Sequence, residues 1–184
     1  MKTGIAGGIG SGKSYVCRLI EKRLGIEVYD CDAAAKRLMR TSPLLRQQLT
    51  ALIGPDAYLD GPNKPVIAQF LLASPENAKA IDGIVHPAVF RDFEASGQEW
   101  VESAILYESG LDRLVDRVVV VTAPEAIRIE RIMARDHITA DKARQWIARQ
   151  LPQDEVRQRA DFEIINDGQH SLESQIDCLL QTYL

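Results

Sequence analysis

The sequence predicts an α/β fold, in which helices cover a five-stranded parallel sheet on both faces. Three observations support this prediction. Short apolar runs alternate with helix-like segments, a glycine-rich turn directly follows the first run, and five of the six residues in Arg117–Thr122 are β-branched. A continuous β-branched run is typical of a parallel strand that is buried on both faces.

Length and composition are those of an ordinary globular protein. The 184 residues suit one domain with insertions, and 46% of them are hydrophobic while 26% are charged. The net charge of −4 lacks the cationic field that general binding to nucleic acid or to a membrane surface requires. We also expect no obligate protein partner.

Cysteine spacing and the apolar runs bear on the compartment. Cys17, Cys31 and Cys178 show no paired spacing, so we expect neither a zinc site nor a disulfide framework. No apolar stretch approaches the length of a membrane span, and the first strand begins at once without a signal peptide. We therefore expect a cytoplasmic protein.

The first turn, residues 7–14, fits the pattern of a glycine, any four residues, then Gly-Lys-Ser. It follows the predicted strand Thr3–Ala6 and precedes a predicted helix at 15–24, which is the context that a phosphate loop needs. Lys13 would supply charge to the outer phosphates and Ser14 a hydroxyl to Mg²⁺. The alternative is a glycine-rich turn that binds nothing. The positions expected to contact the nucleotide are Gly8, Ile9, Gly10, Ser11, Gly12, Lys13, Ser14 and Tyr15.

Two acidic residues follow the second predicted strand. That strand is predicted at 26–29, and Asp30 and Asp32 come directly after it, before a predicted helix at 33–40. The carboxyl ends of strands are where open α/β sheets place their chemistry. Asp32 and Asp30 are therefore candidate site residues.

The middle of the chain reads differently. Six of the eight prolines fall between residues 41 and 97, where they punctuate short helical segments and no strand is convincing. We interpret 33–97 as a helical insertion that binds a second substrate. Packing alone is the alternative.

Strands return after the insertion. Further strands are predicted at 100–107, 117–122 and 162–166, with helices from Pro124 to about 135, at 139–150 ended by Pro152, and at the end of the chain. The closing helix carries an apolar face of Leu172, Ile176, Leu179 and Leu180. We expect one domain, 1–184, with a core at about 1–32, 98–135 and 160–184 and a helical lid at about 136–159.

An arginine stripe marks the helix after Pro124. Arg128, Arg131 and Arg135 share one face, and we expect this face not to be the core face. A phosphate loop alone permits a switch GTPase, a motor or a small-molecule kinase. The Asn63-Lys64 pair lacks the acid of a guanine reader, and the chain is short for a motor. The insertion and the arginines favour a P-loop kinase fold whose mobile lid brings arginines over the transferring phosphate.

The chain resembles the dephospho-CoA kinase family over nearly its whole length. The residues that carry the resemblance are 4–14, Asp30 with Asp32, 84–87, 105–110, 130–136, Gln150 with Pro152, and 160–166. The phosphate loop is shared by a large superfamily, whereas the ordered set is specific. The resemblance implies ATP and Mg²⁺ as cofactors, and phosphorylation of the ribose 3′-hydroxyl of the small molecule dephospho-CoA. The alternatives are another P-loop kinase, acting on a nucleoside monophosphate or small metabolite, and a non-catalytic nucleotide-binding switch.

The resemblance also implies roles for acidic residues and one histidine. Asp32 would be the catalytic base and contact the substrate, and Asp30 would orient Mg²⁺ through water. Either aspartate could instead cap the next helix. His86 would lie in the dephospho-CoA site or pack structurally, and because Pro87 follows it we expect a helix boundary there. Glu108 would lie beside the substrate and order water around the metal, or make a structural hydrogen bond.

Three further roles concern the nucleotide. Arg131 is expected to bind ATP and Arg135 to act with Lys13 on the transferring phosphate, with a solvated helix face as the alternative for both arginines. Asn166 would meet the adenine, or form a turn.

Three positions depart from the family pattern. Tyr15 stands where many relatives have Thr, Trp146 where many have Arg, and Val156 where Lys is frequent. Because of Trp146, the lid contact stays open between Arg144 and Arg149.

Overall fold

The computed structural model describes residues 1–183, so position 184, the last of the predicted core, lies outside the described residues. The chain forms two compact units. The first unit contains Met1–Tyr29 and the residues from Gln98 onward, and the second unit is Asp30–Gly97. The substrate-binding role predicted for 33–97 stays a prediction.

A five-stranded sheet is the centre of the first unit, and of its residues Asp30 alone belongs to the second unit. Its strands are β1 Thr3–Ala6, β2 Tyr29–Asp30, β3 Trp100–Ser103, β4 Arg117–Thr122 and β5 Phe162–Ile165. The spatial order is β2-β3-β1-β4-β5, and β1 pairs in parallel with both β3 and β4. The predicted parallel α/β fold is confirmed. Because β1 is the middle strand, the loop that follows it leaves the sheet at the centre of its carboxyl edge, where open α/β sheets bind ligands.

Ten α-helices occur among the described residues. They are α1 Lys13–Leu24, α2 Cys31–Thr41, α3 Pro43–Ile53, α4 Lys64–Ala73, α5 Pro75–Ser96, α6 Leu106–Ser109, α7 Glu125–Asp136, α8 Ala140–Ile147, α9 Gln153–Arg159 and α10 Leu172–Tyr183. Short 3-10 turns lie at Pro55–Ala57 and Leu111–Leu114. Within residues 1–183, no helix combines the length and the apolarity that a membrane crossing needs.

The core of the first unit forms around β1 and β4. All six residues of β4 are buried, as its β-branched composition predicts. Ile20 of α1 and Leu179 of α10 are almost fully buried and belong to the same apolar cluster as Ile5 of β1. Burying Ile or Leu contributes about 1.5–3 kcal/mol per side chain, so this cluster fixes the strand from which the loop departs.

Several predicted boundaries are wrong, and at Asp30 and Ser103 side-chain hydrogen bonds set where the chain leaves its strand. The second strand covers only Tyr29–Asp30 instead of 26–29, and α2 begins at Cys31 because Asp30 caps it. The third strand ends at Ser103 instead of 107, where the Ser103 hydroxyl accepts a hydrogen bond from Ile105 N. In the predicted lid, α8 ends at Ile147 instead of 150, and α9 was not predicted.

The helix boundary expected at Pro87 is also wrong. Pro87 lies inside α5, which continues for nine more residues to Ser96. A proline in a helix interior costs about 3 kcal/mol, because it removes a hydrogen bond and its ring crowds the preceding turn. α5 buries Ile81 and Val85 before the proline and Val89 and Phe93 after it. Burial of these four apolar side chains on both sides of the proline offsets that cost.

Candidate active site

The phosphate loop offers main-chain donors that the protein leaves unused. Gly10 and Gly12 adopt left-handed backbone angles, with φ of 80° and 84°, and α1 begins directly after Gly12. The main-chain N–H groups of Gly10, Gly12, Lys13 and Ser14 have no acceptor within residues 1–183. Unpaired donors at a helix N-terminus form an anion-binding site, because the helix dipole adds positive potential at the same point.

Close neighbours explain the glycines of this loop. A Cβ on Gly8 would come within 2.5 Å of Arg128 Nη2, and one on Gly10 within 2.6 Å of the Arg128 carbonyl oxygen. A Cβ on Gly12 would collide with the side-chain amide nitrogen of Asn166. The loop therefore packs directly against α7 and the residue that follows β5.

Sequence reasoning missed Glu102, which lies beneath the end of the loop. Its carboxylate accepts hydrogen bonds from Lys13 Nζ at 3.2 Å and from Ser14 Oγ at 3.3 Å. Glu102 is 7% exposed, so the pair with Lys13 is largely shielded from water. The signal was available, because an acid in a buried strand needs charged or hydrogen-bonding partners.

The Glu102 carboxylate also accepts a hydrogen bond from a buried thiol, whose pKa is raised by burial and by this carboxylate. Cys17 Sγ donates to Glu102 Oε2 at 3.0 Å. Burial raises the pKa of the Cys17 thiol far above its ordinary value, and the Glu102 charge raises this pKa further. Cys17 therefore stays protonated at neutral pH and serves as a hydrogen-bond donor.

Three groups, from α7 and from the segment predicted as a lid, hold Ile9. Its main-chain N–H donates to Gln150 Oε1 at 2.8 Å, and its carbonyl accepts from Arg128 Nε at 2.9 Å. The Ile9 side chain packs against an apolar cluster formed by Ile129, Ile132 and Ala143. Gln150 carries part of the family resemblance, but its contact with the loop was not predicted.

The expectation that the arginine stripe lies off the core is wrong for Arg128. This residue is 5% exposed and its guanidinium packs against the loop. Burial lowers the pKa of Arg128 from its ordinary value. The 3.6-residue period assigns side chains to a face but does not show that a loop, rather than water, covers that face.

Arg131 and Asn166, both predicted nucleotide ligands, form hydrogen bonds to main-chain carbonyls of the loop. Arg131 donates to the carbonyls of Gly10 and Ser11 at 3.3 and 3.1 Å, and to Asn166 O and Oδ1 at 3.0 and 3.3 Å. The amide of Asn166 donates to Ser11 O at 2.9 Å. Their predicted contacts with ATP stay predictions.

Three other predicted residues of this unit lie nearer the surface. Arg135 is exposed and forms a forked ion pair with Asp136, whose pKa this hydrogen bonding lowers. Tyr15 is 50% exposed. Glu108 accepts a hydrogen bond from Leu151 N at 3.0 Å, which is the structural contact left open for it.

The remaining predicted residues lie in the second unit. Asp30 caps α2 by accepting from Ala33 N at 2.9 Å, and Asp32 is exposed in the first turn of that helix. His86 is half-buried within α5, where Nε2 lies 3.6 Å from Asp82 Oδ1 and the ring stacks on Phe90. The capping role left open for Asp30 is observed, while the catalytic and binding roles of Asp32 and His86 stay predictions.

Comparison with known proteins places this chain in a family. The sequence profile of the dephospho-CoA kinase family, CoaE, matches residues 1–171. The chain belongs to the dephospho-CoA kinase family. Among curated dephospho-CoA kinases, that of Bacteroides fragilis is 39% identical over 188 residues, covering 96% of this chain and 89% of the relative. That of Porphyromonas gingivalis is 41% identical over 187 residues, covering 97% and 92%.

Solved structures agree with this family fold. TT1252 from Thermus thermophilus superposes with a TM-score of 0.84 at 29% identity, covering 100% of this chain and 98% of that protein. Dephospho-CoA kinase from Campylobacter jejuni gives a TM-score of 0.65 at 20% identity, covering 98% and 96%. Shikimate kinase from Acinetobacter baumannii gives 0.61 at 18% identity, covering 98% and 91%, which shows the shared P-loop kinase fold.

Proposed function

We propose that this protein transfers the terminal phosphoryl group of ATP to the ribose 3′-hydroxyl of dephospho-CoA, giving coenzyme A and ADP. The observation that carries the proposal is the row of unused N–H groups at Gly10, Gly12, Lys13 and Ser14, within a chain that the family profile matches over residues 1–171. These donors suit the phosphates of ATP. A cytoplasmic location is part of this proposal.

Lys13 would neutralise the outer phosphates. Its ammonium group is held by Glu102, 3.2 Å away, so Lys13 would exchange or share this partner when a phosphate arrives. A charge placed at the transferring group in a shielded site stabilises the transition state more strongly than in water. The ion pair keeps Lys13 ordered before the nucleotide binds.

The residues present fit Mg²⁺. The Ser14 hydroxyl and the Glu102 carboxylate are hard oxygen ligands whose oxygen atoms lie 3.3 Å apart, and Mg²⁺ prefers one or two such groups together with phosphate oxygens. No cluster of three or more His, Cys, Asp or Glu residues suited to a metal occurs among the described residues. When bound, Mg²⁺ would neutralise charge on the β- and γ-phosphate oxygens. Ser14 and Glu102 would hold it, and Asp30 could orient it through water.

Asp32 would receive the proton of the acceptor. The 3′-oxygen would form a bond to the γ-phosphorus as the bond from phosphorus to the bridging β-γ oxygen breaks, and ADP would leave. The hydroxyl proton would pass to the Asp32 carboxylate, which is exposed and whose own helix is already capped by Asp30. His86 and Glu108 would contact the dephospho-CoA, and Arg135 would supply charge after releasing Asp136.

An ADP-release assay tests the proposed reaction. Dephospho-CoA, adenosine, AMP and shikimate would be offered in parallel with ATP and Mg²⁺. We expect turnover with dephospho-CoA to exceed that with each other acceptor. Turnover with another acceptor but none with dephospho-CoA would contradict the assignment, and no turnover with any acceptor would favour a non-catalytic switch.

The variant Asp32→Asn tests the base. We expect it to lower kcat by about 10²–10⁴-fold, the usual contribution of a general base, while the affinity for ATP is unchanged. Asp60→Asn, an exposed aspartate of the same unit, is the matched control. Turnover of Asp32→Asn equal to that of the wild type would remove Asp32 as the base.

A further inference from the structure

Two arginines on one face of α7 differ in how much of their hydrogen-bonding capacity the protein uses. Arg131 donates from Nη1 and Nη2 to four oxygens of the loop and of Asn166. Arg128 donates only from Nε, to Ile9 O, and its terminal Nη1 and Nη2 groups have no acceptor within residues 1–183. The terminal nitrogens of Arg131 are therefore already hydrogen-bonded within the protein, whereas Arg128 keeps four terminal N–H donors unused.

Arg128 also lacks a counter-charge. Within the described residues it forms no ion pair with a carboxylate, although it is only 5% exposed. Glu125 is the acidic group whose charge acts on it, from outside ion-pair distance. A buried cation is costly unless an anion accompanies it, and the lowered pKa of Arg128 agrees with that cost. The fold keeps a buried positive charge that an arriving anion would compensate.

Arg128 lies between the start of the phosphate loop and a groove. Nη2 is 2.5 Å from the position that a Cβ on Gly8 would occupy, so the guanidinium lies directly against the backbone of the loop at Gly8. Arg128 also lines a groove of about 520 Å³, together with Glu125, Arg144, Gln150 and residues 151–154. A phosphate that entered this groove would therefore meet the Arg128 side chain beside Gly8.

The geometry points to Arg128 as a ligand of the terminal phosphate of ATP, supplied by α7 at the start of the loop, whereas Lys13 and Glu102 pair at its end. This assignment rests on the proposed kinase function. The side chain of Lys13 and the free N–H groups of Gly10, Gly12, Lys13 and Ser14 would hold the phosphates, and Arg128 would contact γ-phosphate oxygens from the start of the loop. A guanidinium suits this role because its paired donors match the geometry of phosphate oxygens.

The test compares two nucleotides that differ by one phosphate. ADP and the non-hydrolysable β,γ-imido analogue of ATP would be titrated calorimetrically, with Mg²⁺ and without acceptor. For Arg128→Gln we expect Kd for the analogue to rise about 10- to 100-fold and Kd for ADP by less than about threefold, because a charged hydrogen bond to the γ-phosphate is lost. Arg128→Lys keeps the charge and should lose less affinity for the analogue than Arg128→Gln.

The controls distinguish binding of the γ-phosphate by Arg128 from its hydrogen bond to Ile9 O, which is purely structural. Arg23→Gln, an exposed arginine paired with Asp177, should leave both affinities unchanged. Equal weakening of ADP and of the analogue in Arg128→Gln, or no weakening of either, would overturn the assignment. If Arg128→Gln does not fold, a ratio of the two affinities in Arg128→Lys equal to that of the wild type would overturn it. Turnover of the wild type with dephospho-CoA is measured separately. Failure of the proposed reaction can therefore be distinguished from failure of the Arg128 assignment.

Discussion

The two ends of the phosphate loop are held in opposite ways. At its start, Gly8, Ile9 and Gly10 pack against α7 and Gln150, with a buried arginine that has no acidic partner. At its end, Lys13 and Ser14 contact a buried carboxylate, Glu102. The start is fixed by close packing and holds a surplus of positive charge, whereas the charge at the end is neutralised within the protein.

This difference indicates that the start of the loop depends on steric packing and its end on charge. Where packed neighbours surround the backbone, the loop cannot shift to accommodate a side chain. Glycine is therefore required there for steric reasons. A lysine held by an acid can change partner, so its geometry depends on charge. Substitutions of Gly8 and Gly10 should therefore act through shape, and those of Lys13 and Glu102 through metal and phosphate electrostatics.

Among changes to the phosphate loop and its contacts, Gly10→Ala should give the largest effect, because it adds a side chain where the loop is closely packed. The new Cβ would lie 2.6 Å from the Arg128 carbonyl, and a side chain is strained at a φ of 80°. Displacing the loop by about 1 Å should reduce kcat/KM with dephospho-CoA about 100-fold. Gly61→Ala is the matched control, because a Cβ there meets no atom within 4 Å, and it should retain wild-type activity. Equal activity of the two variants would refute the packing argument.

Glu102→Gln changes the other end with little change in volume. Removing the negative charge beside Ser14 should weaken the Mg²⁺-dependent part of nucleotide affinity by about 10-fold or more, because Glu102 is the carboxylate proposed to hold the ion with Ser14. The measurement is calorimetric titration of ADP with and without Mg²⁺, which needs no turnover.

The matched control is Glu173→Gln, an exposed acid in the first turn of α10. It should leave both titrations unchanged. If Glu102→Gln lowers affinity equally with and without Mg²⁺, Glu102 acts on Lys13 or on folding and has no role in the metal site.

The sequence predicts the end of the loop better than its start. Residues 7–14 identify a phosphate loop because Lys13 and Ser14 follow the glycines at a fixed spacing. Nothing local identifies Arg128 or Gln150 as neighbours of Ile9, since 119 and 141 residues separate them from it along the chain. Contacts of this kind depend on how α7 and the segment after α8 return to the sheet.

For the fold as well, elements set by a local pattern are predicted better than those set by other contacts. The buried run of β4 is recognisable because both of its faces are apolar, whereas β2 is misplaced because the Asp30 cap outweighs the apolar residues before it. Pro87 misleads for a related reason, since burial on either side of it overrides a local preference. Glu102 alone could have been found locally, because a buried strand rarely contains an acid without partners.

The smallest effect concerns the thiol beside Glu102 and appears as a pH dependence of stability. Burial raises the pKa of Cys17 in the folded protein, whereas in the unfolded chain it would ionise near 9.0. Above that pH the unfolded state binds fewer protons than the folded state, so the free energy of unfolding should fall with rising pH, by at most about 1.4 kcal/mol per pH unit. Below that pH this contribution to stability is fully present.

Urea unfolding between pH 7 and about 10 would measure this slope, and Cys17→Ala should lack it. Cys178→Ala, at an exposed cysteine, should keep it. The raised pKa values of Tyr58 and Tyr107, the latter about 12, add a similar loss at higher pH in every variant, so the comparison belongs below pH 10. An identical slope in the wild type and Cys17→Ala would show that the thiol ionises freely in the folded protein. Glu102 would then exert less electrostatic control at this end of the loop than its contacts imply.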